Sequence, residues 1–111
     1  LYPFEETVKN STDEAEIIEK IDIGGISLIR AAAKNFHDVL VVSNRSQYKE
    51  LYSLLEENAC YTSLENRKKF ALEYFGISSA YDPAIFNWFD NNSYSEFSFL
   101  RKIKNNHFHR I

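Results

Sequence analysis

Four consecutive apolar residues, Val39-Leu40-Val41-Val42, restrict this chain more than any other segment. The run is short, rich in β-branched side chains and free of alternation, the pattern of a strand buried on both faces of a parallel sheet. Helical patterns flank it. Ile26 to Asn35 precedes it with alanines at 31, 32 and 33, which predict tight packing against a neighbour. Ser43 or Asn44 then caps a helix whose apolar stripe is Tyr48, Leu51 and Leu55. Helix, strand, helix is the order of an α/β layered domain. With 111 residues, 44% of them apolar and 15% aromatic, there is room for one small globular domain.

The rest of the chain reads as helices and breaks. Leu1 to Phe4 is expected to end a strand and lead into a loop, because Pro3 has no N–H for a ladder. Ser11 and Glu14 form a capping-box pattern for a helix with Ala15, Ile18 and Ile21 on one face, ending near Lys20. Ile21-Asp22-Ile23-Gly24-Gly25 interrupts that periodicity as a loop whose glycines permit close approach. From Thr62 the pattern is wholly helical, with Thr62 and Glu65 as a second capping box and Leu64, Ala71, Tyr74 and Phe75 as the apolar face. Gly76 is predicted to stop that helix, and Asp82-Pro83 to open another through Ile85, Phe86, Trp88 and Phe89. The Asn/Ser-rich stretch around residues 91 to 95 reads as a linker or frayed end.

Several function classes are set aside. No apolar run approaches the roughly 20 residues of a bilayer span, and no signal-like start is present, so no membrane partner and a cytoplasmic location are expected. The lone Cys60 has no partner for an internal disulfide and reads as a small structural residue. The net charge is −3, yet Arg101, Lys102, Lys104 and Arg110 near the end of the chain face Glu96 alone. Four scattered cations fall short of the stripe expected for nucleic acid, so no nucleic-acid partner is expected. His107-x-His109 lacks a clear third ligand, and no metal site is assigned. The diglycine bend lacks the lysine of a P-loop. The chain contains no methionine and opens on Leu1, so it is expected to be cut from something longer.

Three segments taken together resemble the IMP cyclohydrolase domain of the bifunctional formyltransferase and cyclohydrolase family. They are Leu1-Tyr2-Pro3-Phe4 with Thr7-Val8; Ile21 to Gly25 running into Arg30-Ala31-Ala32-Ala33-Lys34-Asn35; and Ser63-Leu64-Glu65 with Arg67, followed by Ala80-Tyr81-Asp82 and Ala84-Ile85. The resemblance covers residues 1 to about 90, and its central block is the most specific. It implies the C-terminal half of a methylglyoxal-synthase-like three-layer α/β domain with a parallel sheet, largely helical after residue 62. Residues 1–92 are then a partial cyclohydrolase domain, and residues 93–111 a divergent or disordered tail. Pro83 stands where the family has a small non-proline residue.

The implied reaction closes the ring of 5-formamidoimidazole-4-carboxamide ribonucleotide to give IMP and water. Lys34, Asp22 and Tyr2 match the family's catalytic positions, and Asp22, Ile23, Gly24 and Gly25 its base-binding ones. No metal or organic cofactor is implied for this step; 10-formyltetrahydrofolate serves the formyltransferase domain, which this chain does not contain. The expected partner is a purine ribonucleotide, and the parent enzyme is expected to be a homodimer. A fragment of this kind should expose an apolar face and self-associate, and is expected to be inactive alone.

Each residue also has a plainer reading. Asp22 suits a helix cap, Lys34 complements a helix C-terminus, and Tyr2 suits a half-buried core position. An unbroken helix over residues 25 to 34 would set Asp22 roughly 15 Å from the Lys34 backbone at about 1.5 Å per residue. The two would then meet one substrate from opposite sides, or the helix would begin late. The enzymatic reading expects both to face one hollow beside the strand. Its rivals are a non-catalytic nucleotide-sensing module of the same fold and an inactive remnant.

Overall fold

The computed structural model describes residues 1–92. Among them lie α1 (Phe4–Asn10), α2 (Glu14–Glu19), α3 (Gly24–Lys34), α4 (Tyr48–Glu57) and α5 (Leu64–Asn91), with a 3-10 turn at Arg45–Gln47 leading into α4. The basic tail and the His107-x-His109 pair lie outside the described residues.

Where a strand end was expected, the chain turns into α1. Pro3 serves as the N-cap, a position that needs no N–H, and its carbonyl accepts from the Thr7 amide at 2.9 Å and the Thr7 hydroxyl at 2.8 Å. Glu5 and Glu6 in the first turn and Lys9 in the last complement the helix dipole. Phe4 is buried, with its ring edge-on to Tyr81 and Trp88, each 6.3 Å away between centroids. Burying a phenylalanine contributes about 2 kcal/mol, enough to decide such a short segment.

The start of α2 shifts two residues from its predicted place. Asp13, not Ser11, is the N-cap and accepts from the Ala15 amide at 3.0 Å. Ser11 instead accepts from the Asp13 amide and donates to Glu16. The helix closes at Lys20 as its periodicity indicates, but Ile17 is its buried residue while Ile18 is exposed.

Val39 to Val42 forms no strand. Only Val41 is buried, and a ladder needs a neighbouring strand to receive its N–H and C=O groups, which no other described residue supplies. The described residues are therefore mostly helical, and a three-layer α/β sandwich is not seen among them. Val41 packs with Ala33, Ala71 and Tyr74 in one core cluster, flanked by Ile29, Ala32 and Phe36. Of the three alanines, Ala33 is buried, Ala32 half-buried and Ala31 exposed. A second cluster joins Phe4, Ile17 and Tyr81, with Ile21, Ile26 and Trp88 around them.

The largest departure is α5, which runs as one 28-residue helix through both Gly76 and Pro83. Glycine costs about 1 kcal/mol in a helix interior and proline about 3. The apolar face nevertheless continues in register from Phe70, Ala71 and Tyr74 to Tyr81, Ala84, Ile85 and Trp88, and each half feeds a different cluster. Burial on both sides of the breakers outweighs them. The N-terminal capping box is also one residue later than predicted: Ser63 accepts from the Asn66 amide at 3.0 Å, and Asn66 accepts from the Ser63 amide at 3.1 Å.

Between α3 and α5 the chain is held by side chains. Of the two expected caps Asn44 is the one used, but it caps the 3-10 turn ahead of α4 rather than α4 itself, in a capping box with Gln47 that ties to Glu73 on α5. In α4, Leu51, Leu54 and Leu55 are half-buried, whereas Tyr48 is exposed. Cys60 is likewise exposed, in a turn where Ala59 and Cys60 take left-handed φ angles of 52° and 67°.

Candidate functional site

The two ends of α3 open onto two separate hollows. At its N-terminus, Tyr2, Asp22, Ile23, Gly24 and Gly25 line a hollow of about 680 Å³ together with Ile18, Glu19 and Ile21. At its C-terminus, Lys34 lines another of about 330 Å³ with Ser27, Arg30, Ala31 and Phe75. Five of the six residues singled out from the sequence thus come together, and Lys34 stands apart. The single hollow expected for Asp22 and Lys34 is not what the helix forms. It begins at Gly24 rather than late, and 11 residues at about 1.5 Å each hold its ends some 15 Å apart.

Asp22 is only 6% exposed, and its carboxylate is occupied by backbone. Oδ1 accepts from the Ile26 amide at 2.7 Å, satisfying one of the free N–H groups at the start of α3. Oδ2 accepts from the Tyr2 amide at 3.0 Å, tying the first segment of the chain to this helix. The capping role read for Asp22 is therefore real. An ionised carboxylate has about four acceptor positions, so each oxygen retains one.

Gly25 is what lets the carboxylate in. A Cβ at this position would stand 2.6 Å from Oδ2 and 2.7 Å from Oδ1, inside van der Waals contact. A Cβ on Gly24 would meet nothing within 4 Å, and neither glycine has a positive φ. Of the pair, Gly25 alone is demanded by a close approach. Gly24 begins the helix instead of belonging to a loop.

Tyr2 contributes its backbone inward and its ring outward. The side chain is 59% exposed, with the Lys20 ammonium 5.8 Å from the ring centroid, within cation–π range. Ile23 is exposed beside it, so the hollow has an aromatic and an aliphatic wall over a floor of backbone. Such a surface suits a flat, partly apolar ring with polar edges.

A residue given no role from sequence completes this end. Tyr81, buried on α5, accepts from the Asp22 amide at 2.7 Å and donates to the Lys20 carbonyl at 3.3 Å. Burial pushes its hydroxyl pKa above the usual 10.0, and the charges of Asp22 and Asp82 push the same way, while the Asp22 amide pulls it down. It stays protonated at neutral pH, as a group that both donates and accepts must. The signal in the sequence was membership of the same recurring pattern as Asp22, but 59 residues of separation hid the contact.

At the other end of α3, Arg67 spreads its guanidinium over the carbonyls that follow the helix. Nε donates to Phe36 at 3.0 Å, Nη2 to His37 at 3.0 Å and Nη1 to Thr62 at 2.5 Å. Lys34 is exposed and has no ion pair among the described residues. The described residues hold no group of three or more His, Cys, Asp or Glu placed to ligate a metal, and no helix among them is long and apolar enough to cross a membrane.

The three sequence segments that carried the resemblance therefore converge in space: Tyr2 and Phe4 from the first, Asp22 and Gly25 from the second, Tyr81 from the third. Comparison with known proteins points the same way. The bifunctional purine biosynthesis protein PurH of Bacteroides thetaiotaomicron is 58% identical over 97 residues, which make up 87% of this chain and 19% of that protein. The proteins of the same name from Rippkaea orientalis and Clostridium beijerinckii are 50% and 48% identical over 90 and 88 residues, covering 80% and 79% of this chain. The chain spans about a fifth of the length of these relatives. Residues 32–110 match the family described as the AICARFT/IMPCHase bienzyme, a span that includes Lys34 and most of the tail but begins after the Asp22 hollow. The chain belongs to the AICARFT/IMPCHase bienzyme family.

Proposed function

We propose that this chain is part of a purine-biosynthetic enzyme and carries one wall of a cyclohydrolase site, where 5-formamidoimidazole-4-carboxamide ribonucleotide closes to IMP with loss of water. The observation that carries this reading is the gathering of Tyr2, Asp22, Ile23, Gly24 and Gly25 around one hollow. The purine base lies against Ile23 and the glycines, with Tyr2 along its face. The carboxamide nitrogen attacks the formyl carbon, a C–N bond forms, and the former carbonyl oxygen leaves as water with cleavage of the C–O bond. The two protons of that water balance the one lost from the carboxamide nitrogen and the one lost from the formamido nitrogen as the ring C=N bond forms. The free acceptor positions of Asp22 receive the amide proton, and the Lys34 ammonium supplies one to the oxygen. Positioned proton transfer of this kind is worth on the order of 10² to 10⁴ in rate, and holding both groups of one substrate adds to it. The step calls for no cofactor; 10-formyltetrahydrofolate belongs to the formyl transfer of the relatives' other portion. A cytoplasmic, homodimeric parent enzyme goes with the proposal.

Lys34 reaches the same substrate only from across α3 or from a second subunit. Turnover of the formamido ribonucleotide tests this in the full-length Bacteroides relative with residues 1–92 of this chain grafted in. Lys34→Ala is expected to lower turnover about 100-fold or more. Unchanged turnover would remove Lys34 from the mechanism.

A second reading, a non-catalytic nucleotide-binding module, is favoured by one observation: both Asp22 oxygens are already engaged by backbone amides, and Lys34 faces another hollow. IMP binding without turnover in the graft would select it.

A further inference from the structure

We infer that Tyr81 is a positioning residue for the Asp22 hollow, setting the height and tilt of the Lys20-to-Gly25 segment through its hydroxyl rather than its ring. The inference rests on the proposed nucleotide site for its functional arm and on geometry for the rest. Tyr81 is 6% exposed and sits in the C-terminal half of α5, the longest helix described. Its ring is held edge-on by Phe4, so the hydroxyl has little choice of position. From there it bridges the C-cap of α2 and the residue just ahead of the α3 N-cap, accepting from the Asp22 amide and donating to the Lys20 carbonyl. The Lys20 carbonyl is one of the acceptors that a helix C-terminus leaves without an intrahelical partner, and the Asp22 amide belongs to the connection between the two helices.

The consequence reaches the hollow through two short links. The Asp22 backbone, located by Tyr81, locates a carboxylate that holds the Ile26 and Tyr2 amides and fills the space a Cβ on Gly25 would take. Lys20, whose carbonyl takes the second bond, carries the ammonium that lies over the Tyr2 ring. One hydroxyl on α5 thus sets both the floor and the aromatic wall, although Tyr81 does not line the hollow. Its two bonds need the neutral phenol, which fits a hydroxyl pKa raised by burial.

The test is Tyr81→Phe, with amide hydrogen exchange followed by backbone NMR in the full chain, and IMP titration in the full-length Bacteroides relative carrying residues 1–92 of this chain. Phenylalanine keeps the ring packing and removes only the bridge. Exchange at Asp22 should rise about 5-fold or more relative to amides near Phe70, and IMP should bind about 5-fold more weakly or worse, since about 5-fold is the effect of one hydrogen bond and the substitution removes two. Asp22 exchange or IMP affinity equal to that of the unsubstituted protein would overturn the inference. If the unsubstituted graft itself binds no IMP, the nucleotide reading fails, while the exchange comparison still decides the role of Tyr81. Tyr81→Leu, which loses ring and bridge together, separates the two: exchange at Asp22 no faster in Tyr81→Phe than in the unsubstituted chain, yet faster in Tyr81→Leu, would assign the whole effect to packing and overturn the bridge.

Discussion

The two ends of α3 are built on opposite plans. At the Asp22 end the aspartate is partnered within the chain: the carboxylate holds two amides, the Asp22 amide is held by Tyr81, and a glycine makes the space. At the Lys34 end the backbone is secured by Arg67, but the side chains of Arg30 and Lys34 project beside an exposed Phe75. The first end is committed to holding three segments of chain together. The second leaves Arg30 and Lys34 exposed, without an ion pair among the described residues.

The sharpest way to break this contrast is Asp22→Ala. It strands the Tyr2 and Ile26 amides and removes the start-of-helix acceptor, so unfolding in urea should show a loss of about 2–3 kcal/mol. A loss under half that would mean the three segments are held mainly by the Phe4 and Tyr81 packing. Gly25→Ala follows. Its methyl must displace a carboxylate fixed from two sides, at a cost of about 1–3 kcal/mol for overpacking, partly offset by roughly 1 kcal/mol of helix propensity. A stabilised variant would show that the carboxylate shifts freely.

Alkaline titration refines the same end. The Tyr81 hydroxyl ionises less readily in the folded chain than in the unfolded one, so the unfolded state loses its proton first as pH rises. Its contribution to stability is complete below the unfolded value of 10.0 and fades as pH climbs through the higher folded value. Thermal melts from pH 8 to 11 should fall more steeply for the unsubstituted chain than for Tyr81→Phe; parallel curves would disconnect the tyrosine from stability. Smallest of all is Lys34→Ala at the open end, where a surface change should move stability by no more than about 0.5 kcal/mol. A larger loss in the same urea experiment would give Lys34 a structural partner and weaken the case for a catalytic one.

The exposed apolar residues bear on the expected self-association. Leu28, Leu72, Phe75 and Phe89 are all exposed on α3 and α5, and a contiguous patch of such residues is what self-association would need.

What could be read from residues alone was local chemistry. Lys20 and Asn35 as helix ends, Asn44 as a cap, and the Tyr2, Asp22 and Gly25 group as one surface follow from spacing, capping preference and resemblance, none of which needs a distant neighbour. What only the assembled chain decided were the choices between two locally acceptable outcomes. Val39 to Val42 had strand propensity but no partner strand among the described residues, and Leu1 to Phe4 became a cap and a helix because Tyr81 and Trp88 receive the Phe4 ring. Gly76 and Pro83 did not break α5, since burial on two separate clusters outweighs a few kcal/mol of local penalty. Local preferences are worth roughly 1 kcal/mol each, and a buried aromatic is worth more, so contacts made across 59 residues of sequence had the final say.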